Sequence, residues 1–518
     1  MFPWILAYVI FVHGFFSNSN VILTSMFNSL AEPLHGLFNA SVQEHYGITL
    51  DDQSMSLVIS ILPNFELLGN FLSVLFVVPQ MDSLGRRFTA IYIRLIFAIS
   101  SCAVFVVSSY TTSIEAYALG QFLLGFVHPT KMMVMKLYLS ECVSRQYRAF
   151  IAIAVGSFVI FTNLFASFLS LPSVFGTHTS WQYIPLICAL IEIAYFVLAC
   201  RLPESPKWLM AKRKPVMHVI HSISFYHGKD ADIPIVMQEI QDEIDLTSKA
   251  KLSLIDILKD HTFRPVFYII FSTSLMSALS ITIIGQFYAN TLLLQYGYTM
   301  EKALTVNMAN QMLFLPVIFA MPFLFERIGR RPLFLFSGLA SILNVVAYFA
   351  AQTLFDLNGP NTLSMALGAC AIFLSSLAVI TGLTITYVVL IADLLPPSAK
   401  VVVSQFVLAV NLLAQIPAVF LFPNLISTLG SYGFLPFLVI QIVLLGYVFK
   451  NLPETKLRPV ASNVHHIVND SETPRKQSGI SCRQRFSVCS PTDSCDEGEA
   501  MLPTMEKRKN YGSTNATM

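Results

Sequence analysis

The chain has 518 residues, of which 55% are hydrophobic and 12% are charged, and its formal net charge at pH 7 is +2. A soluble domain carries about 25% charged residues, so this composition excludes a soluble protein as the main architecture and places most of the chain in the lipid bilayer. The small net charge gives no reason to expect a nucleic-acid partner. No nucleophile motif, metal-ligand cluster or phosphate-binding loop indicates an enzyme, a metal site or a cofactor.

Twelve apolar runs are predicted to cross the membrane as helices, and they are called spans 1 to 12 in chain order. A run of about 20 residues crosses a hydrocarbon core of about 30 Å. The runs cover residues 4–24, 56–79, 88–108, 115–137, 149–171, 182–201, 265–292, 303–325, 332–353, 363–391, 401–423 and 432–450. No basic segment precedes span 1 and no clear cleavage site follows it, so span 1 is predicted to be a retained helix. The predicted fold class is an all-α membrane protein.

The basic residues of the connecting segments predict the orientation of the spans. The segments after the odd-numbered spans contain one basic residue, Lys302, whereas the other segments are rich in Arg and Lys. Because basic loops stay in the cytoplasm, both termini are predicted to be cytoplasmic, in a multi-pass protein of the plasma membrane. The sequon at Asn39 then lies in the first outside loop, where a glycan is expected.

A long loop at 202–264 divides the chain into two predicted six-helix halves, 1–201 and 265–450. Within the loop, the apolar spacing of residues 236–244 predicts short amphipathic helices. From 451 to 518 the chain is rich in Ser, Thr, Pro, Asn and charge, which predicts a disordered cytoplasmic tail. Such a tail offers contacts to cytoplasmic partners.

Charged motifs recur in the two halves at a nearly constant offset. D-S-L-G-R-R at 82–87 is repeated as E-R-I-G-R-R at 326–331, an offset of 244 residues. Glu141 with Arg148 is repeated as Asp393 with Lys400, and the Pro-Glu pair at 203–204 is repeated at 453–454. Internal duplication of this kind is typical of secondary transporters, whose substrate site lies between the halves near the bilayer midplane.

With these motifs the chain resembles the sugar porter branch of the major facilitator superfamily, which includes the facilitative glucose transporters. The paired G-R-R loops, P-E-S-P-K-W-L at 203–209 and P-E-T-K at 453–456 carry the resemblance. Organic-ion carriers share the first-half motifs, but their first outside loop is much longer. The resemblance implies the major facilitator fold and transport of a small-molecule substrate by alternating access.

The resemblance also implies a salt-bridge gate on the cytoplasmic face, in which the arginines of the loops bind acids across that face. The implied gating residues are Asp82, Arg86, Arg87, Glu141, Arg148, Glu204, Glu326, Arg330, Arg331, Asp393, Lys400 and Glu454. The alternative is that these charges only fix the topology, but the positive-inside bias requires the bases and not the paired acids. Lys400 replaces an Arg of the family, so the second-half lock is expected to be weaker.

The sugar-binding positions that the resemblance implies are mostly apolar in this chain. They hold Ser277, Ala278, Ile283, Gly156, Val388, Ile380 and Phe314, while Asn411 matches and Gln415 replaces an Asn. Unpaired hydroxyls of a bound polyol cost about 1–3 kcal/mol each, so glucose is not the expected substrate. Other polar residues that are predicted to contact a substrate are Gln286, Tyr288, Asn290, Asn310, Gln311, Tyr387, Asn18 and Asn20. Taken singly, each is better explained by a hydrogen bond between helices than by contact with a substrate, and only the set as a whole indicates a site.

Four charged residues, all in the first half, fall inside predicted spans. They are Glu66, Arg94, Lys131 and Glu192. A charge at a helix centre costs at least about 2.5 kcal/mol, so each should be paired or should face a wet cavity. Arg94 and Glu192 lie at similar depths and are predicted to form a structural pair. Glu66 and Lys131 differ in depth by about 10 Å, so they are predicted to be separate substrate or proton groups, unless each has a hidden structural partner.

Three functions remain open from the sequence. The first is transport of a small, sugar-like polar solute. The second is transport of an organic anion or a proton-coupled cycle, suggested by Glu66 and Lys131. The third is a nutrient sensor that signals through the tail without significant flux.

Overall fold

The computed structural model describes residues 3–143, 145–228, 232–248, 254–261, 263–395 and 397–452. Within these ranges the secondary structure is helical and contains no strand. Every predicted span lies on helices, which confirms the predicted all-α class. Within the described residues, seven helical segments are long and apolar enough to cross a membrane, and one of them covers both span 11 and span 12.

The first half is built from spans 1 to 6 and one helix between spans 1 and 2. The span helices are Pro3–Gly14 with Ser19–Ser29, Asp52–Leu72 with Gln80–Leu84, Arg94–Thr111, Ile114–Gly125 with Val127–Pro129 and Lys136–Cys142, Arg145–Leu169, and Tyr183–Ala199. The helix Ala31–Tyr46 lies in the first connecting segment and ends at Gly47, which adopts a left-handed φ of 70°. It carries the exposed Asn39 of the sequon.

The loop and the second half continue the helical pattern. Four short helices form the loop: Pro206–Ala211, Val216–His227, Ile233–Ser248 and Leu254–Lys259. Spans 7 to 12 are Phe263–Ala278 with Ile281–Gln295, Met300–Ile328, Arg330–Asn358, Thr362–Ile380 with Thr386–Leu394, Pro397–Leu429, and Leu435–Asn451. The predicted tail lies almost wholly outside the described residues.

Several spans that the sequence predicts as continuous helices are interrupted. π-helical turns occur at Ser73–Val77, Phe88–Ile93 and Thr130–Met135, in spans 2, 3 and 4. The third of these directly follows Pro129, which has no N–H for the helical ladder. Span 7 breaks before Ser280, whose hydroxyl caps the next helix, and span 10 breaks at Gly382, where φ is 124°. Such interruptions often mark functional sites because they redirect side chains.

The bundle has two ends, which are named here by the loop. The end that carries the four loop helices is called the loop side, and the opposite end is called the far side. One hydrophobic cluster joins both halves at the far side and includes Phe27, Ile59, Tyr288 and Phe422. At the loop side, each half has its own separate cluster. The far side is therefore the closed end of the bundle.

Candidate functional site

A network of hydrogen bonds joins the loop-side ends of spans 2, 4 and 6. The Arg86 guanidinium contacts the Glu141 carboxylate, with Nε 3.2 Å from Oε2, and the Asp82 carboxylate at 2.9 Å. The Ser205 hydroxyl donates to the same Glu141 oxygen at 2.6 Å. Glu141 is thus paired with Arg86 and Ser205, while the side chain of Arg148, its predicted partner, lies outside the described residues.

Glu204 is held by the backbone of the loop between spans 2 and 3. Its two carboxylate oxygens accept the backbone N–H of Arg87 at 2.9 and 3.1 Å, and one of them also accepts the N–H of Ser205 at 2.9 Å. Burial raises the pKa of the Glu204 carboxyl, while these N–H groups and the guanidinium groups of Arg86 and Arg87 lower it. Most of the binding to Glu204 therefore comes from main-chain dipoles.

Gly85 makes this close approach possible. Its φ and ψ are 113° and 154°, a region open almost only to glycine, and an added Cβ would lie 2.4 Å from Glu204 Oε2. Gly329, the equivalent residue in the second half, has nearly the same φ and ψ of 106° and 167°. The repeated G-R-R motif thus encodes the same backbone turn in both halves.

The second arginine of each motif also makes an equivalent contact. Arg87 donates to the carbonyl of Cys200 at the end of span 6, with Nη2 and the oxygen 2.7 Å apart. Arg331 donates to the carbonyl of Phe449 near the end of span 12 at 3.0 Å. Arg330 and Lys400 also interact with neighbouring groups. The side chains of Glu326 and Asp393 and the whole of Glu454 lie outside the described residues.

A second polar cluster is buried inside the first half. Arg94 and Glu192, both fully buried, form an ion pair, which confirms the pairing predicted from their depths. Arg94 also donates to the carbonyl of Ser17 at 2.9 Å and lies 4.6 Å above the ring of Tyr195. Ser19 donates to the carboxylate of Glu192. No pattern in the sequence indicates these serine and tyrosine partners.

Lys131 is the least compensated charge of this cluster. Its side chain is 4% exposed, and its ammonium group donates to the side-chain oxygen of Asn18. No carboxylate lies within salt-bridge distance of Lys131 among the described residues. Two residues after Asn18 on span 1, Asn20 is 1% exposed, and neither polar atom of its amide has a hydrogen-bond partner among the described residues. Buried polar groups of this kind are costly unless a ligand or water satisfies them.

Glu66 lies apart from Lys131, and the two do not bond. The Thr24 hydroxyl donates to Glu66 Oε1 at 2.7 Å, while Oε2 is buried without a partner in the described part of the chain. Span 4 packs tightly over this residue, because a Cβ on Gly125 would lie 2.3 Å from the Glu66 carbonyl oxygen. Close helix approach through glycine thus fixes the position of Glu66.

Span 7 carries three of the predicted substrate residues. Two of them bond across the halves at the far side, and the third is exposed. The Asn290 backbone N–H donates to the side chain of Asn28 at 2.8 Å, and its amide donates to the Asn28 carbonyl at 3.1 Å. The Tyr288 hydroxyl lies 3.2 Å from the Val419 carbonyl oxygen and 3.4 Å from that of Ile59 in the first half. Gln286, by contrast, is exposed.

The remaining predicted substrate residues lie between helices of the second half. The Asn411 amide donates to Ser274, 2.8 Å from its carbonyl oxygen, and accepts from Gln415 at 2.8 Å. Asn310 donates to Ser376 at 2.6 Å. The described residues offer no partner to the buried side-chain oxygen of Gln311. Tyr387 is half-buried against the loop-side core of the second half.

Contacts between the halves follow one symmetric scheme. Span 1 packs on span 7, span 2 on span 11, and span 5 on span 8. The protein has twelve spans in two halves, duplicated charge motifs at one end, and polar residues between the halves. These features define a transporter of the major facilitator superfamily.

Comparison with known proteins gives the family. The model of the sugar (and other) transporter family matches residues 6–463, and the chain belongs to this family. It is a sugar porter similar to the facilitative glucose transporters. Mouse facilitated glucose transporter member 7 is 24% identical over 455 residues, which are 84% of each chain. The putative metabolite transport protein YncC of Bacillus subtilis is 25% identical over 426 residues, 79% of this chain and 86% of that one.

Solved structures agree with this fold. The inward open conformation of the xylose transporter XylE from E. coli superposes with a TM-score of 0.68 at 15% identity, covering 90% of this chain and 99% of that chain. The human organic anion transporter MFSD10 has a TM-score of 0.54 at 14% identity, covering 86% of this chain and all of that one. With the family match, the protein is a membrane transporter for a sugar-like solute.

Proposed function

We propose that the protein carries a small, uncharged polar solute other than glucose by alternating access. The observation that carries this proposal is the asymmetric contact between the halves. They share a hydrophobic core and the Asn28 to Asn290 hydrogen bonds at the far side, while their loop-side cores are separate. A bundle whose halves share a core at one end and keep separate cores at the other is suited to alternate between two open states.

The substrate site in this proposal lies between the halves near Gln286. The positions that bind sugar in similar transporters hold buried groups such as Ala278, Ile283 and Phe314, which offer no side-chain hydrogen bond. Gln286 is exposed and Gln311 has an unsatisfied oxygen, so these two amides offer a different set of donors and acceptors. A solute with fewer or differently spaced hydroxyl groups than glucose fits this set better.

Uptake by the purified protein in liposomes tests this proposal. The panel contains radiolabelled hexoses, pentoses, polyols and organic anions, with empty liposomes as the control. Saturable uptake of an uncharged polar solute, reduced by Gln286→Leu, is the expected result. Saturable high-affinity uptake of glucose would contradict the proposed substrate, and absence of uptake for every uncharged solute would contradict the class.

Transport of an organic anion is the second candidate, and Lys131 favours it. A buried ammonium whose one hydrogen-bond partner among the described residues is the neutral Asn18 amide suits a carboxylate better than a hydroxyl. Lys131→Met should then abolish anion uptake and leave neutral-solute uptake intact.

For a proton-coupled cycle, Glu66→Gln should remove the pH dependence of uptake, whereas pH-independent wild-type uptake would contradict coupling.

The charged network at the loop side is proposed to be the gate. Asp82, Arg86, Arg87, Glu141 and Glu204 are proposed to hold the loop-side ends of spans 2, 4 and 6 together as one rigid unit that moves during the cycle. In this proposal the loop side faces the cytoplasm of a plasma-membrane protein, and Asn39 on the far side carries the glycan. Arg86→Ala should slow cycling without loss of expression. Unchanged transport kinetics in that variant would contradict the gating role.

A further inference from the structure

We propose that the loop side of the first half binds the phosphomonoester headgroup of an anionic phospholipid. A cavity of about 350 Å³ lies there, at the boundary between the spans and the loop. Basic groups from three segments line it: Arg87 before span 3, Arg201 after span 6, and His218 and His221 in the loop. None of these groups belongs to the space between the halves.

The basic groups of this cavity have free hydrogen-bonding capacity. Arg87 Nε is buried and has no partner among the described residues. Within the same part of the chain, Arg201, His218 and His221 make no side-chain hydrogen bond or ion pair, and all three are exposed. A buried donor without an acceptor costs free energy, which a bound anion recovers. Phosphate oxygens match the planar guanidinium group, which can donate to two of them at once.

One acid, Glu204, also lines the cavity, but its carboxylate is already engaged. Both of its oxygens accept backbone N–H groups, from Arg87 and Ser205, at 2.9 to 3.1 Å. It therefore leaves the Arg201 guanidinium and Arg87 Nε without a carboxylate partner, while Arg87 Nη2 donates to the Cys200 carbonyl. Two guanidinium groups against one carboxylate give the cavity a positive charge, and two imidazoles add donors.

The two histidines are arranged to act together. His218 and His221 are three residues apart on the helix Val216–His227, so they share one face of it. A multiply phosphorylated group has enough oxygens to accept hydrogen bonds from both imidazoles and from Arg201, whereas a carboxylate has two oxygens. This favours a multiply phosphorylated group over a single carboxylate.

The surroundings of the cavity indicate that the phosphate belongs to a lipid. The preceding segment carries exposed Lys212, Arg213 and Lys214. Directly after it, Val216 and Met217 are 58% and 72% exposed. A basic cluster followed by exposed apolar side chains at the membrane boundary is typical of segments that rest in the lipid interface. A soluble anion would not need the apolar pair.

Binding of lipid to the full-length protein in detergent tests this proposal, whichever solute is transported. The probe is dioctanoyl phosphatidylinositol bisphosphate, measured by microscale thermophoresis. Phosphatidylinositol of the same chain length has no phosphomonoester, and inositol trisphosphate has no acyl chain. We expect saturable binding of the bisphosphate lipid that weakens at least about tenfold in the double variant Arg201→Gln with His221→Ala. The matched control is Arg264→Gln, an exposed arginine at the loop side of the other half.

Three results would overturn the proposal. Equal affinity of the double variant and the wild type would exclude this cavity. If the double variant fails to fold, the single variant Arg201→Gln, which removes the charge of an exposed side chain, provides the same test. Equal affinity for phosphatidylinositol would exclude phosphomonoester recognition. Equal affinity for inositol trisphosphate would exclude a lipid as the ligand.

Discussion

The carboxylate of Glu204 accepts the backbone N–H of Arg87 with both oxygens, at 2.9 and 3.1 Å, across a separation of 117 residues. This contact ties the end of span 6 to the turn between spans 2 and 3. It depends on Gly85, whose missing side chain leaves room for the Glu204 carboxylate. Every substitution of Arg87 except proline keeps this main-chain donor, so the glycine is the sensitive position.

Gly85→Ala should therefore lower stability and slow transport. The added methyl group would lie 2.4 Å from Glu204 Oε2, and the backbone conformation itself costs about 1–3 kcal/mol for a residue with a side chain. Gly359→Ala is the matched control, because its φ and ψ of 68° and −166° are also unfavourable, but no atom lies within 4 Å of its added Cβ. Thermal unfolding in detergent should show a larger loss for Gly85→Ala. Equal losses would mean that the contact with Glu204 contributes nothing.

The pH dependence of stability should contain a contribution from Glu204. Burial raises its pKa in the folded protein above the ordinary value of 4.5. The protonated form is therefore favoured by folding, and this stabilisation is present at low pH and is lost as pH rises through the raised pKa. We expect the difference in melting temperature between the wild type and Glu204→Gln to shift against the wild type as the pH is raised above 4.5. A difference that is constant with pH would contradict the raised pKa.

Arg94 and Lys131 should respond differently to the same substitution. Arg94→Met leaves Glu192 buried and unpaired, which costs about 3–5 kcal/mol. Lys131→Met removes an ammonium group whose partner is the neutral amide of Asn18, so stability should stay equal or rise. Thermal unfolding of both variants measures the contrast.

A second substitution serves as the control for this contrast. Replacing Glu192 with Leu in the Arg94→Met background should recover part of the lost stability, because no buried charge is then left unpaired. If Lys131→Met were as destabilising as Arg94→Met, Lys131 would have a charged partner in the native protein.

Asn290→Ala should favour opening of the far side. It removes the amide that bonds to Asn28 across the halves and the acceptor for Asn307. A hydrogen bond between membrane helices contributes about 0.6–1.7 kcal/mol, so the closed population should fall roughly 3- to 20-fold relative to the open one. Spin labels at Ile48 and Leu429, both exposed at the far side, report the change as a longer distance.

The control for the far-side prediction lies within the second half. Tyr298→Phe removes a bond from the Tyr298 hydroxyl to the Met365 carbonyl at 3.2 Å, which does not cross between halves. It should leave the distance distribution unchanged. A closed far side in Asn290→Ala would show that the shared apolar core alone holds that end together.

The sequence by itself determined the twelve spans, the duplication and the positions of the buried charges. Apolar runs identify membrane helices because the bilayer core tolerates no backbone N–H or C=O group without a hydrogen bond. The motif D-S-L-G-R-R and its repeat predict the turns at Gly85 and Gly329. Depth counting along helices also gave the Arg94 to Glu192 pair, since residues at equal depth on neighbouring helices meet.

Only the tertiary structure decided which polar groups meet in the plane of the membrane. Depth says nothing of rotation about a helix axis, so Asn18 as the partner of Lys131 and Thr24 as the partner of Glu66 were not predictable. The π-helical turn at Thr130–Met135 rotates the side chains that follow it, which apolar periodicity does not register. The far-side bonds of Asn290 and Tyr288 depend on how the two halves pack, and that packing belongs to one state of the transport cycle.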